Sequence, residues 1–386
     1  MTASIHLPRR LLIGGGAGAE LGSILSSLEC RRALVVTDTY LHDSGVVDRV
    51  LGSLGSGIEA VVFADTVPDP TDHCVEAAAD VLRSGDFDCV VGLGGGSPMD
   101  TAKAAAILAA SGGRMRDYRT PTLTDTPGLP IIAIPTTAGS GSECTRFTVV
   151  TDTETNDKML CAGLAFLPVA ALVDYRLTLT MPPRLSADAG VDALTHAIEA
   201  YVSRRANPFA DSLALPAMRT IYANVRRVYE DPDNHDARSA MMLAATQAGM
   251  AFSNSSVALI HGMSRPIGAH FHLAHGLSNA MLLPVVTEFS VDGAPDRYAT
   301  CARVLGVASD DDSDAAACLA LVTALTRLNE ALEVPNPQAC GIPAAEWSAL
   351  TSLMAEQALA SGSPANNPRI PSAPEIEQLY TDVFAQ

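Results

Sequence analysis

Four of the nine histidines of this 386-residue chain fall within sixteen positions, in HGMSRPIGAHFHLAHG, residues 261 to 276, with an arginine among them. Imidazole nitrogens ligate first-row divalent ions, carry protons near neutral pH, or pack as ordinary polar groups, so spacing has to discriminate. Upstream, VDALTHAIEAY sets Asp192 and His196 four apart. On a helix they share one face, about 6 Å apart along the axis. Alone, such a pair reads as a surface or capping interaction rather than as a ligand pair. Joined by His261 and His275, it becomes one carboxylate and three imidazoles, a four-ligand set for a divalent ion with room for a substrate oxygen. Pro266 and Gly268 lie between the two later histidines and are expected to end one helix so that a second can face it.

A second group of residues has the chemistry of an anion site. VVGLGGGSPMDTAK, residues 90 to 103, ends a buried strand in Gly94, Gly95 and Gly96 and starts a helix expected from Ser97 to about residue 111. Ser97 is the expected N-cap, Pro98 the first helical residue and Asp100 the capping-box partner. Bare backbone N–H groups at a helix N-terminus suit a pyrophosphate, although a tight strand-to-helix turn has the same composition. Thr136, Thr137 and Ser140 belong to PTTAGSGSE, another strand-ending loop, able to wrap a ligand or simply to turn. Asp38 ends the strand ALVVTD, where a carboxylate either bonds a ribose 2′-hydroxyl or opens a turn. GGGAGA at residues 14 to 19 fits the loose dinucleotide pattern but reads better as a turn closing a short strand.

The elements that must position these residues follow from periodicity. From residue 31 to residue 174, β-branched runs alternate with helical patterns, ending with PVAALVD, as in a parallel sheet covered by helices. TRFTVVTDTETNDKMLCAG alternates around a polar turn like a hairpin. Prolines at 182 and 183 stop the chain, and everything after them is helical in period, including one long stretch through residues 237 to 269. The boundary is expected there, with an α/β dinucleotide-binding domain over 1–181 and an all-helical metal-binding and substrate domain over 182–386.

Composition narrows the partners. With 48% hydrophobic and 18% charged residues the chain can bury a large core, and a formal net charge of −18 repels nucleic acid and anionic lipid. No apolar run is long enough for a membrane span, and the segment MTASIHLPRRLLIGGG is too briefly apolar for a signal sequence. Eight cysteines without a C-x-x-C pair fit reduced thiols in a cytoplasmic protein and imply no cysteine metal site.

GGGSPMDTAK, PTTAGSGSE, DALTHAIEAY, the long histidine segment and NNPRIP, in this order and spacing, resemble the iron-containing, or group III, alcohol dehydrogenases over essentially the whole length. The resemblance implies a Rossmann-like first domain and a dehydroquinate synthase-like architecture, with the active site in a cleft. It implies Asp192, His196, His261 and His275 as ligands of Fe²⁺, with Zn²⁺ as the alternative ion. NAD would be contacted by Gly95, Gly96, Ser97, Asp100, Thr136, Thr137 and Lys158, with Asp38 favouring NAD over NADP. The implied reaction is hydride transfer between an alcohol carbon and nicotinamide C4, the cation polarising the oxygen. A small alcohol or aldehyde and further copies of the chain, as a dimer or larger assembly, are the expected partners.

One departure stands out. Many members of the family carry a histidine four residues after the third ligand, where this chain has Arg265. A guanidinium stays protonated and cannot act as a general base, which leaves the proton to His272, His270, a ribose hydroxyl or water. Arg265, with Arg146 and with Phe147 narrowing the space, is instead suited to an anionic group on the substrate, or equally to a cofactor phosphate or a structural carboxylate. Two other readings share the general fold: a metal-free maleylacetate-reductase-like enzyme, against which the full ligand set argues, and a dehydroquinate synthase-like lyase, which would show no net NADH formation.

Overall fold

The computed structural model describes residues 2–385, and they form two compact units: His6–Met181 is the first, and residues 182–385 together with residues 2–5 are the second. In the first, strands β1 (Arg10–Ile13), β2 (Arg32–Val36), β3 (Glu59–Phe63), β4 (Cys89–Gly94), β5 (Ile131–Pro135) and β8 (Ala170–Val173) make one sheet in the order β1-β8-β5-β4-β2-β3. Every pairing in it is parallel. The hairpin β6 (Phe147–Asp152) and β7 (Asp157–Ala162) stands as a separate antiparallel pair. Helices α1 (Leu21–Ser27), α2 (Thr39–Asp43), α3 (Val46–Leu51), α4 (Asp72–Ser84) and α5 (Gly96–Ser111) connect the strands.

Strand residues alternate between two apolar layers, as a two-residue side-chain period requires. Leu34, Val36 and Val90 join Val75, Ala78, Ala105 and Leu108 from α4 and α5. Ala33, Val35, Val91 and Leu93 face the other way, onto Leu21, Leu25, Val46 and Val50 from α1 and α3. Central β4 is buried along its whole length, which explains its unbroken run of apolar and glycine residues.

The second unit holds α6 (Pro183–Val202), α7 (Pro208–Glu230), α8 (His235–Ser253), α9 (Leu259–Phe271), α10 (His275–Ser290), α11 (Pro295–Leu305), α12 (Asp314–Ala331), α13 (Ala344–Ala360) and α14 (Ala373–Ala385). Pro183 sits at the first position of α6, where its missing N–H costs no helical bond. From Gly190 to Val202 every residue of α6 is buried, so this helix runs through the core of its unit.

Two helical expectations change. The long stretch through residues 237 to 269 is two helices, broken between Ser253 and Leu259. There Asn254 bonds back to the Met250 carbonyl and Ser255 to the Ala200 carbonyl, so short polar side chains compete with the helical ladder. Conversely, Pro266 lies inside α9, which continues to Phe271 and stops where His272 adopts a left-handed conformation at φ 54. Among the described residues no helix is long and apolar enough to cross a membrane.

Candidate active site

The glycine turn of the first unit is built by backbone and by small neighbours. Gly94 has φ +153, and a Cβ there would meet the Pro98 ring at 2.5 Å, so no side chain fits. Cβ atoms at Gly95 and Gly96 would meet Thr137 and Ser140 at 3.3 Å each. Thr136 donates its N–H to the Gly94 carbonyl at 2.9 Å. The structure thus brings Gly94, Gly95, Gly96, Thr136, Thr137 and Ser140 to one place, two strand-ending loops packed against each other at the N-terminus of α5.

The expected capping box is absent. Helix α5 starts at Gly96 with Gly95 as N-cap and no side-chain cap. Ser97 lies inside the first turn and its Oγ accepts from the Asp69 N–H at 3.3 Å, while the Asp69 carboxylate pairs with the Lys158 ammonium at 2.7 Å. Asp100 turns inward instead, accepting from Ser142 Oγ at 2.7 Å and from the Val149 N–H at 2.8 Å. One turn further, Lys103 is fully buried and donates to Ser142 Oγ, to the Thr145 carbonyl and Oγ1, and to the Phe147 carbonyl, at 2.8 to 3.1 Å. Burial pulls this ammonium down to about 8, against the charges of Asp100 and Glu143. Asp69 and Lys103 escaped the sequence reading because their partners are distant in the chain.

Asp38 caps α2, accepting from the Leu41 N–H at 2.8 Å, and remains partly exposed. Arg146 lies with its guanidinium carbon 5.2 Å from the centre of the Phe147 ring. In GGGAGA, the N–H groups of Gly16 and Gly18 are taken by the Asp174 carboxylate at 2.9 and 3.2 Å, a turn closed by the protein's own anion.

The second unit concentrates its chemistry in side chains. Ligand atoms of Asp192, His261 and His275 all lie within 4.8 Å of one another. Asp192 Oδ1 is 3.4 Å from His261 Nε2, 3.8 Å from His275 Nε2 and 3.9 Å from His196 Nε2. His196 stacks at 4.4 Å on His261 and at 4.2 Å on Phe252. Three of these residues are buried, and His275 at the start of α10 is half-exposed. The periodicity is helical throughout: Asp192 and His196 are one turn apart on α6, and His275 and Asn279 one turn apart on α10.

Glu199, two turns after Asp192 on α6, is the functional residue that sequence reading missed. Its carboxylate accepts from the N–H of Ala258 at 2.8 Å and of Ile260 at 2.7 Å, and lies 2.7 Å from His261 Nδ1. It therefore fixes the break between α8 and α9 and orients the His261 ring with Nδ1 toward itself and Nε2 toward Asp192. The i, i+4, i+7 series Asp192, His196, Glu199 was the available signal.

Charge and hydrogen-bond capacity fit this group to a divalent cation. The carboxylate and both imidazole Nε2 atoms converge on one amide nitrogen, Asn279 Nδ2, at 2.6, 3.2 and 3.2 Å. Asn279 Oδ1, also buried, has no hydrogen-bond partner. Although burial opposes it, the charges of Glu199 and Asp192 push His261 up to about 9. Asp192 is held far below the usual carboxylate range: burial raises it, and the three histidines more than offset that. A site that retains an extra proton against its own burial is a site that demands positive charge.

Arg265, one turn after His261, is buried, and its Nη1 donates to Ser363 Oγ at 3.0 Å. His270 Nε2 lies 2.8 Å from Gln357 Oε1, and exposed His272 closes α9.

Comparison with known proteins agrees in both halves. The family described as iron-containing alcohol dehydrogenase matches residues 8–175, and the C-terminal domain of the Fe-containing alcohol dehydrogenase family matches residues 186–384. The chain is 35% identical over 383 residues to the NAD-dependent methanol dehydrogenase of Bacillus methanolicus, covering 99% of this chain and 100% of that one. It is 38% identical to long-chain-alcohol dehydrogenase 1 of Geobacillus thermodenitrificans (strain NG80-2), over 99% and 97% of the two chains. A solved 1,3-propanediol oxidoreductase superposes with a TM-score of 0.95 at 34% identity, over 100% of each chain.

Proposed function

The chain belongs to the iron-containing alcohol dehydrogenase family, and on that premise we propose that it is an NAD-linked, metal-dependent alcohol dehydrogenase and aldehyde reductase. The observation that carries this reading is the convergence of Asp192, His261 and His275, with His196 beside them, on a buried point short of positive charge. Those four residues would hold the cation, Fe²⁺ or Zn²⁺. The bound cation supplies Lewis acidity at an alcohol or carbonyl oxygen, and the dinucleotide supplies the hydride acceptor or donor.

The chain's own residues do the rest. Asp192 and the imidazoles would hold the cation, and Glu199 orients His261. Gly94 to Ser97, with Thr136, Thr137 and Ser140, present N–H and hydroxyl groups to a pyrophosphate at the head of α5. Lys158, held by Asp69, lies next to that turn through Ser97. Asp100 acts on the cofactor indirectly, by tying α5 to Ser142 and β6. Asp38 keeps one carboxylate face available to a ribose hydroxyl, which a 2′-phosphate would not tolerate.

With a guanidinium at position 265, the proton of the alcohol leaves through solvent, a ribose hydroxyl or the exposed His272. Arg265 selects a small primary or secondary alcohol bearing an anionic group. Replacing Arg265 with Met should raise KM for acid-bearing aldehydes by about tenfold or more while sparing neutral ones. Equal effects on both would remove the anion role.

The enzyme is proposed to work in the cytoplasm as a homo-oligomer. Its eight free cysteines, seven of them buried, support the first, and light scattering measures the second. The activity itself is tested by stripping the protein with a chelator and following NADH absorbance over a panel of alcohols and aldehydes. Turnover should vanish on stripping and return with Fe²⁺ or Zn²⁺. Substrate conversion without net change in NADH would point to a lyase.

A further inference from the structure

A second cluster of thiol and carboxylate side chains lies at the far end of the central sheet. Cys30 follows α1, with its N–H donating to the Leu25 carbonyl at 2.9 Å, and Cys89 opens β4. They are remote in sequence, but β2 and β4 pair directly, with Ala33 opposite Cys89, and this brings the thiols together. Both are buried, at 4% and 0% exposure. The two sulfurs and a carboxylate oxygen of Asp88 lie within 4.8 Å of one another.

Asp88 is not a loose surface acid. Its carboxylate accepts from the Arg31 N–H at 2.6 Å and from the Arg32 N–H at 3.1 and 3.2 Å. A carboxylate has about four lone-pair positions, so these contacts aim it and leave acceptor capacity over. Its partial exposure gives an ion a way in. Cys30 Sγ makes long contacts to the carbonyls of Leu28 at 3.7 Å and Asp88 at 4.0 Å, and its other hydrogen-bond partner is the Cys89 thiol itself, the second sulfur of the group.

We propose that Cys30, Cys89 and Asp88 form a second cation site, for thiophilic divalent ions of the zinc and cadmium class, at the amino end of the central sheet. A tetrahedral ion needs its sulfurs about 3.8 Å apart, so closure takes a small side-chain rotation and leaves the fourth position to water. Two S–H bonds break, two metal–sulfur bonds form, two protons pass to solvent, and nothing is oxidised or reduced. The charge balance favours the exchange: Asp88 alone gives −1 before it, and two thiolates, the carboxylate and the dication again sum to −1 after it. Burial, reinforced by the charge of Asp88, otherwise keeps both thiols protonated.

Five residue steps along β4, about 17 Å, separate this site from the glycine turn. The ion therefore ties the exit of α1 to the start of β4 without touching the dinucleotide chemistry. Its effect is on the stability of the first unit.

The test uses the full chain, stripped of metal and titrated with Cd²⁺ while following thiolate-to-cadmium charge-transfer absorbance and bound cadmium per chain. Wild type and His261→Ala should both develop the band, and Cd²⁺ should raise the melting temperature of each. The band should disappear in the Cys30→Ala, Cys89→Ala double variant. Asp88→Asn, which keeps the shape, should keep the band but weaken cadmium binding by at least about tenfold. No band in the wild type, an undiminished band in the double variant, or unchanged affinity in Asp88→Asn would each overturn the assignment. If the double variant does not fold, wild type and Asp88→Asn decide between these outcomes.

Discussion

The two units prepare for their ligands in opposite ways. In the first, the groups offered outward belong to the backbone and to small hydroxyl side chains, while the strongly ionic residues nearby, Asp100 and Lys103, point into the fold and clamp one loop to another. In the second, the charged side chains themselves converge, and what lies behind them, Glu199 with its two backbone N–H bonds, serves to aim them. A dinucleotide spreads its charge over a long contact and can be held by many weak donors, whereas a small dication needs a few strong ones at one point. The two sites should therefore fail differently under mutation.

The largest separation is expected from His261→Ala. Metal content of the reloaded protein should fall to near zero and turnover by roughly 10³-fold or more, since polarisation of the substrate oxygen accounts for several kcal/mol of the barrier. NADH binding, followed by its fluorescence, should stay within about twofold of wild type. A parallel loss of NADH affinity would show that the units are not independent in this sense.

Acidity gives the next effect. In the metal-free protein His261 holds its second proton up to about pH 9, and the cation must displace it. Metal affinity should fall about tenfold per unit as pH drops below 9, and dinucleotide affinity should not follow. The same shift has a sign for stability. Because the folded value lies above 6.5, the contribution of His261 to metal-free stability is complete below 6.5 and is lost as pH rises through 9. A melting temperature of the stripped protein that rises over that interval would contradict the charge argument.

Glu199→Gln should lower metal affinity by about 10- to 100-fold in competition with a chelator, because His261 Nδ1 then no longer faces a carboxylate. An unchanged affinity would reduce Glu199 to a loop anchor. The smallest effect is expected at Gly95→Ala, whose methyl group would sit 3.3 Å from Thr137. The Km for NAD should rise only a few-fold, about 1 kcal/mol, with metal content untouched.

Periodicity and composition determined much of this protein without coordinates. Alternating buried strands and helices made the first unit a parallel α/β layer, and the halt at Pro182 and Pro183 separated it from a helical half, because side-chain periods of 2 and 3.6 depend on local sequence alone. The histidine and glycine motifs were legible for the same reason: residues on one turn of one helix, or in one tight loop, are neighbours by spacing. Local reading failed where two local preferences compete. Ser97 and Asp100 spell a capping box, yet Asp100 gains more from Ser142 and Val149 across the fold. Pro266 reads as a helix end, yet α9 carries it and stops at His272.

Only the tertiary structure decided the rest. Nothing in the order of residues says that Glu199 meets His261, that Lys158 is held by Asp69, or that Cys30 faces Cys89. Each of these pairings depends on which elements pack side by side, and that is fixed by burial summed over the whole core rather than by any spacing along the chain.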